Sequence, residues 1–201
     1  MASGRRLTPR GRERRDELLA YATRRFAQNG FHPTSVSDIV DGIGVGKGVF
    51  YWYFPSKDDL LLEIMRQALL DLRRCQQKAI SAVVDPLQRL EHGIRASLAW
   101  SAANPDIMRL VMFCWTEESF AHALEKGRRI AIADTAKLVQ AAIDADRIAP
   151  GDANLLATSI RGVTDELARD QVMTGTISDD LVVSTAIRMC LHGLGGPSGC
   201  R

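Results

Sequence analysis

Three features of the sequence predict an all-α fold. Apolar residues recur at three- and four-residue spacing in segment after segment from Arg12 to the C-terminal end. Helix-stopping pairs, Asn29-Gly30, Asp85-Pro86 and Asn104-Pro105, divide those segments. No stretch alternates apolar and polar residues as a half-buried strand does, and no internal repeat is present.

Residues 1–11 are small, basic and rich in helix breakers, and are expected to form a flexible arm. Over residues 12–29, Leu18, Leu19, Ala22 and Phe26 fall on one helical stripe, which Asn29-Gly30 ends. Thr34 or Ser35 can cap a second helix reaching about Ile43, with Val36, Ile39, Val40 and Ile43 at i, i+3, i+4 and i+7. Gly42, Gly44 and Gly46 break the chain before a third helix begins near Lys47. Two short helices joined by a glycine-bearing turn are a helix-turn-helix.

Ser56 opens a long linking helix, to about Val84, with Asp59 as its capping-box partner. Lys57 sits in its first turn, where a cation opposes the helix dipole, so an external anion is expected to account for it. Further helices are predicted over residues 86–103, 106–115, 120–145, 152–173 and 178–193. The turn 146–151 and Thr174-Gly175-Thr176 separate the last three, and residues 194–201 are expected to be a disordered tail.

The net charge of +2 conceals a split. Of 26 Lys/Arg and 24 Asp/Glu in all, residues 1–57 hold ten against five, which leaves sixteen against nineteen beyond. A basic head on a neutral or acidic body suits a nucleic-acid partner. Cys75, Cys114, Cys190 and Cys200 are scattered without CxxC spacing, so free thiols in a reducing cytosol are expected. No secretory h-region or membrane-spanning apolar run is present, and the expected location is the cytoplasm, at the nucleoid when DNA is bound.

The densest information lies in residues 44–57, Gly-Val-Gly-Lys-Gly-Val-Phe-Tyr-Trp-Tyr-Phe-Pro-Ser-Lys. Phe50 and Phe54, four apart, share a helix face and can anchor it to a core. Lys47, Gly48 and Tyr51 fall on another face, where they can reach a nucleic acid. The segment has the character of a short recognition helix.

These residues also carry a resemblance. Arg15, Leu18-Leu19, Phe26, Gly30, Thr34-Ser35-Val36-Ser37-Asp38-Ile39-Val40, Gly44-Val45-Gly46-Lys47-Gly48-Val49-Phe50-Tyr51-Trp52-Tyr53-Phe54, Ser56-Lys57 and Leu60-Leu61 resemble the DNA-binding domain of TetR-family regulators, over about residues 12–72. In the second part of the chain, Arg147-Ile148-Ala149-Pro150, Leu155-Leu156-Ala157 and Gly162 are similar to the start of that family's penultimate helix. Three positions depart from the pattern: Ser37, where a longer base-reading side chain can stand, Gly46 in place of a capping serine, and Val49 in place of a small polar residue.

The resemblance implies a DNA-binding domain over 12–57, joined by the linking helix from 56 to an effector-binding and dimerisation domain over 58–193. It implies, together with the facing argument, that Thr34, Ser35 and Ser37 meet phosphate through hydroxyls and the second helix's N-terminus. Val45, Gly46, Lys47 and Gly48 would enter the major groove, Tyr51 and Trp52 would touch phosphate, sugar or thymine methyl, and Tyr53 and Lys57 would clamp phosphates. Arg5, Arg6, Arg10, Arg12, Arg14 and Arg15 are either an arm for a minor groove or a solvated tail.

Enzyme signatures fail. The alternating glycines at 42, 44, 46 and 48 match neither GxGxxG nor a P-loop, and Gly196-Pro197-Ser198-Gly199 misses the nucleophile-elbow spacing. His122 has Glu118 and Glu125 at helical spacing but no second histidine, so no metal and no cofactor are expected. Trp100, Met108, Val111, Met112, Trp115 and Phe120 are either ordinary core or the lining of a ligand cavity. Leu155, Leu156, Ile160, Leu167, Val182, Val183, Ile187 and Leu191 exceed what one body layer needs and are expected at a homodimer interface. The expectation is a homodimeric, sequence-specific repressor released from a palindromic double-stranded DNA operator by a mainly apolar small molecule. The alternative is a constitutive or architectural DNA-binding protein with no ligand.

Overall fold

The computed structural model describes residues 7–175 and 178–193, and among them every regular element is helical. The elements are α1 (Pro9–Asn29), α2 (Val36–Gly42), α3 (Lys47–Tyr53), α4 (Lys57–Ile80), α5 (Pro86–Ala103), α6 (Pro105–Thr116), α7 (Glu118–Asp144), α8 (Ala153–Thr174) and α9 (Asp179–Ile187). A π-turn over Arg188–His192 ends the last helix. They form two compact units, residues 1–67 and 68–201, and α4 contributes to both.

In the first unit α1 begins at Pro9, inside the stretch expected as an arm. Thr8 caps it by accepting from the Gly11 amide at 3.1 Å, and Pro9, with no amide to satisfy, suits the first turn. The predicted stripe of Leu18, Leu19, Ala22 and Phe26 is buried. With Ile39, Val40, Phe50, Phe54, Leu60, Leu61 and Ile64 it forms the core of the head.

The body packs α5, α7, α8 and α9 around two apolar clusters. One joins Ile94 and Leu98 of α5 to Ala168 of α8 and to Val182, Ala186 and Ile187 of α9. The other joins Leu90 of α5 to Ala136, Val139 and Ala142 of α7 and to Ala157 of α8. The long helix α4 stops at Ile80 rather than reaching Val84. Val83 and Val84 are β-branched, and Asp85 precedes a proline, which excludes the helical region and leaves Asp85 at ψ 123°. Asp85 instead caps α5, accepting from the Gln88 amide at 3.1 Å. No helix among the described residues is long and apolar enough to cross a membrane. The expected tail, residues 194–201, and Arg5 and Arg6 lie outside the described residues.

Candidate functional site

The head presents a complete helix-turn-helix. Ser35 caps α2 in a reciprocal box: its Oγ accepts from the Asp38 amide at 3.1 Å, and the Asp38 carboxylate accepts from the Ser35 amide at 2.7 Å. The Ser35 hydroxyl bonds the same carboxylate, and these hydrogen bonds hold the Asp38 carboxyl below the usual aspartate range. Gly44, at φ +68°, makes the left-handed step in the turn, and the Val45 amide donates to the Val40 carbonyl at 2.9 Å. Gly46 caps α3 with backbone alone.

On α3, Phe50 and Phe54 are buried with ring centroids 5.9 Å apart, whereas Tyr51 and Trp52 are 55% and 56% exposed. Two large rings held in solvent on a seven-residue helix are not core material. Lys47 is exposed beside them. A Cβ added at Gly46 or Gly48 would meet nothing within 4 Å, so the backbone there is open to close approach. Tyr53 is half-buried, its ring 4.5 Å from that of Trp52, and Ser37 and Val45 are partly buried.

Two expected phosphate contacts take other roles. Thr34 is 2% exposed and its hydroxyl donates to the Gly30 carbonyl at 2.7 Å, which closes the turn after α1. The Lys57 ammonium donates to the Phe31 and Thr34 carbonyls at 2.8 and 2.9 Å and lies 4.3 Å from the centre of the Phe31 ring. Within the chain its partners are therefore carbonyls, and burial lowers its pKa. Arg10, Arg12, Arg14 and Arg15 belong to α1 rather than to an arm. Of these, Arg14 pairs with Glu17 at 2.6 Å and Arg15 pairs with Glu63 of α4.

Two contacts in the head have no local sequence signal. Burial alone would raise the Glu63 carboxyl, but hydrogen bonds from Arg66 and Arg15 outweigh it and hold the pKa down at about 2. Gly42 lies against the Tyr21 ring so closely that an added Cβ would fall 2.0 Å from it.

In the body, a cavity of about 240 Å³ opens between α4, α5, α7 and α8. The α4 residues Arg73, Gln76, Gln77 and Ile80 supply one wall, at i, i+3, i+4 and i+7. Arg89, Gly93, Ile94 and Ser97 of α5 face it, with Asp134 and Leu138 of α7 and Ile160, Arg161 and Thr164 of α8 completing it. Gln76 Nε2 donates to Ser97 Oγ across the wall at 2.7 Å. None of Trp100, Met108, Val111, Met112, Trp115 and Phe120 lines this cavity. Trp100 is buried, with its Nε1 donating to Asp71 at 2.7 Å, and Phe120 is 2% exposed. Met108 packs on the α5–α8–α9 cluster, Val111 and Met112 are partly buried, and Trp115 is 44% exposed. On α6 itself the buried residues are Leu110 and Cys114.

The expected interface residues also divide. Val182 and Ile187 are buried within the chain's own core, and Ile160, Leu167, Val183 and Leu191 pack against it. Leu155 and Leu156 remain exposed, joined by Met173 and Leu181. No cluster of three or more metal-ligating side chains occurs among the described residues.

Residues 18–64 match the family "Bacterial regulatory proteins, tetR family". The repressor KstR2 of Mycobacterium tuberculosis is 37% identical over 84 residues, which are 42% of this chain and 42% of that protein. The chain therefore spans under half the length of the curated relatives it matches. Among solved structures, the fatty acid degradation regulator FadR of Bacillus halodurans superposes with a TM-score of 0.84 at 18% identity, over 94% of this chain and 98% of its own. FadR of Bacillus subtilis, in complex with stearoyl-CoA, gives 0.80 at 18% identity, over 90% of this chain and 99% of its own. At that identity the two establish the fold and nothing finer. The family match covers both helices of the turn, the exposed rings of α3 and the buried anchors behind them, and residues 18–64 thus form a DNA-binding domain of the kind found in the TetR family of bacterial regulatory proteins.

Proposed function

We propose that this protein is a homodimeric, sequence-specific transcriptional repressor that a small molecule releases from a palindromic DNA operator. The observation that carries the reading is the outer face of α3. Lys47, Tyr51 and Trp52 stand in solvent beside the unobstructed backbone of Gly46 and Gly48, while Phe50 and Phe54 lock the helix from behind. Such a helix can enter a major groove and read base edges without first rearranging. Ser35 and Ser37, at the start of α2, are assigned to phosphate, with Tyr53 at the rim.

The body supports effector control. Its cavity takes one wall from α4, the helix that also contributes to the head unit. A ligand there acts on α4, and a coupling of about 1–3 kcal/mol is enough to switch operator occupancy. The stearoyl-CoA of the Bacillus subtilis neighbour is that protein's ligand; here the cavity itself supports a small-molecule site.

The test is fluorescence anisotropy with DNA from the promoter region next to the gene. Specific binding should survive competition by random-sequence DNA and should weaken as Lys47→Ala or Tyr51→Ala is introduced. Equal affinity for promoter and random DNA would rule out the specific regulator and favour an architectural role.

A further inference from the structure

We infer that the body cavity recognises an organic anion, with Arg89 and Arg161 as the residues that hold its charged group. The inference deepens the effector reading above and rests on it. Four cations line the cavity, Arg73, Arg89, Lys137 and Arg161, against one carboxylate, Asp134. Asp134 is already committed, to Arg73 at 2.7 Å and to Lys137 at 3.5 Å.

The Arg89 side chain has no hydrogen bond or ion pair to any described residue, yet its Nε is shielded from solvent. Arg161 is 17% exposed and spends one terminal nitrogen on Asp165 at 2.9 Å, while its own Nε is likewise shielded and unsatisfied. A guanidinium cannot escape such a site by losing its proton, because it stays charged at any physiological pH. Both arginines line the cavity with N–H donors to spare, the whole guanidinium fork of Arg89 and the second terminal nitrogen of Arg161, and an acceptor supplied from outside can satisfy them. A carboxylate or phosphate does this with charge-assisted, two-pronged hydrogen bonds that water makes less well.

The rest of the lining limits what carries that group. Ile80, Leu90, Ile94, Leu138 and Ile160 give the cavity an apolar side. Its volume of about 240 Å³ exceeds the roughly 150 Å³ that accepts a benzene ring. A single ring or short chain bearing one acidic group fits both size and chemistry. Gly93 agrees with this: it stands mid-helix in α5 at the cavity, where an added Cβ would meet nothing within 4 Å, so packing within the chain does not require a glycine.

The experiment is isothermal titration of the full-length protein with four matched probes: phenylacetate, phenyl phosphate, 2-phenylethanol and 2-phenylethylamine. At least one of the two anions should bind, and the better one identifies carboxylate or phosphate as the preferred group. The alcohol and the amine should bind at least about ten-fold more weakly. Arg89→Gln and Arg161→Gln should each cost on the order of 10- to 100-fold in affinity for that anion. Arg95→Gln, at an exposed arginine of the same helix paired with Glu91, should cost nothing. Melting curves without ligand guard against misfolding: Arg89→Gln removes an unpaired charge and should melt no lower than the wild type, and Arg89→Lys, which keeps the charge but not the fork, should still lose affinity. Equal binding of alcohol and anion, absence of binding by both anions at millimolar concentration, or full affinity in both Gln variants would overturn the assignment. Promoter-DNA anisotropy with the same probes separates the two readings. An anion that binds without changing DNA affinity leaves the site and removes effector control, whereas an alcohol that binds and releases DNA does the reverse.

Discussion

Lys57 shows how far a residue's role can lie from its local context. Its charge is wrong for the first turn of a helix, and from sequence that mismatch points outward to an anion. The compensating carbonyls belong to Phe31 and Thr34, more than twenty residues away, and no local pattern announces them. Lys57→Ala should therefore destabilise the head by about 1–3 kcal/mol, the usual effect of losing hydrogen bonds to a charged group. Lys47→Ala should do the opposite, leaving the melting temperature unchanged while reducing the slope of log affinity against log salt by about one. Melting curves and salt titrations on both variants separate these outcomes, and a reduced salt slope in folded Lys57→Ala would restore its phosphate role. Glu63 makes a second prediction at this scale. Its folded pKa of about 2 lies below the unfolded value near 4.3, so its contribution is complete above the unfolded value and is lost as pH falls from about 5 toward 2. Because Arg66 is more than half exposed, the contribution is put at about 1–3 kcal/mol rather than the full value of the shift. Chemical denaturation at pH 7 and pH 3 should show the difference between wild type and Glu63→Gln shrinking at the lower pH.

At the scale of the element, the helices were largely legible because their signals are local. Phe50 and Phe54 fell inward and Tyr51 outward as the four-residue spacing requires, and α5 begins and ends at its Asp-Pro and Asn-Pro boundaries. The errors lay where two equally local rules competed, as at residues 81–84, where helix periodicity yields to two valines and the Asp85-Pro86 stop. The cavity was not legible at all. Its walls come from helices separated by up to 91 positions, from Arg73 to Thr164, and no single helix carries a pocket signature. The contact of Gly42 on α2 with Tyr21 on α1 is of the same kind. Gly42→Ala should push that ring aside and destabilise the head by roughly 1–3 kcal/mol, the cost of overpacking, even though alanine favours a helix. Gly93→Ala should instead stabilise the unliganded body by about 0.5–1 kcal/mol, because there the added methyl has space. Thermal melts of the two variants should move in opposite directions.

At the scale of the whole molecule, one face remains open in the single chain. Along α8, Leu155, Ser159, Gly162, Glu166, Arg169 and Met173 follow one another at three- and four-residue intervals, and all are exposed. Leu155 is 67% and Met173 68% exposed, an unusual state for large apolar side chains at both ends of a stripe. In the middle, Gly162 forgoes helix stability, yet a Cβ there would meet nothing within 4 Å. Apolar ends around a bare centre suit the close crossing of a second α8, with exposed Leu181 of α9 adding to the contact in a two-fold dimer. Gly162→Leu tests this without disturbing the monomer, since the new side chain enters open space and leucine is the better helix former. It should hold two α8 helices apart, giving a monomer by sedimentation at micromolar concentration. Operator affinity should then fall by well over ten-fold, because one helix-turn-helix reaches only a half-site. Circular dichroism should remain fully helical, which distinguishes loss of pairing from loss of fold. A Gly162→Leu protein that stays dimeric and keeps its operator affinity would place the interface elsewhere, and leave the bare centre of α8 to be explained by some other contact.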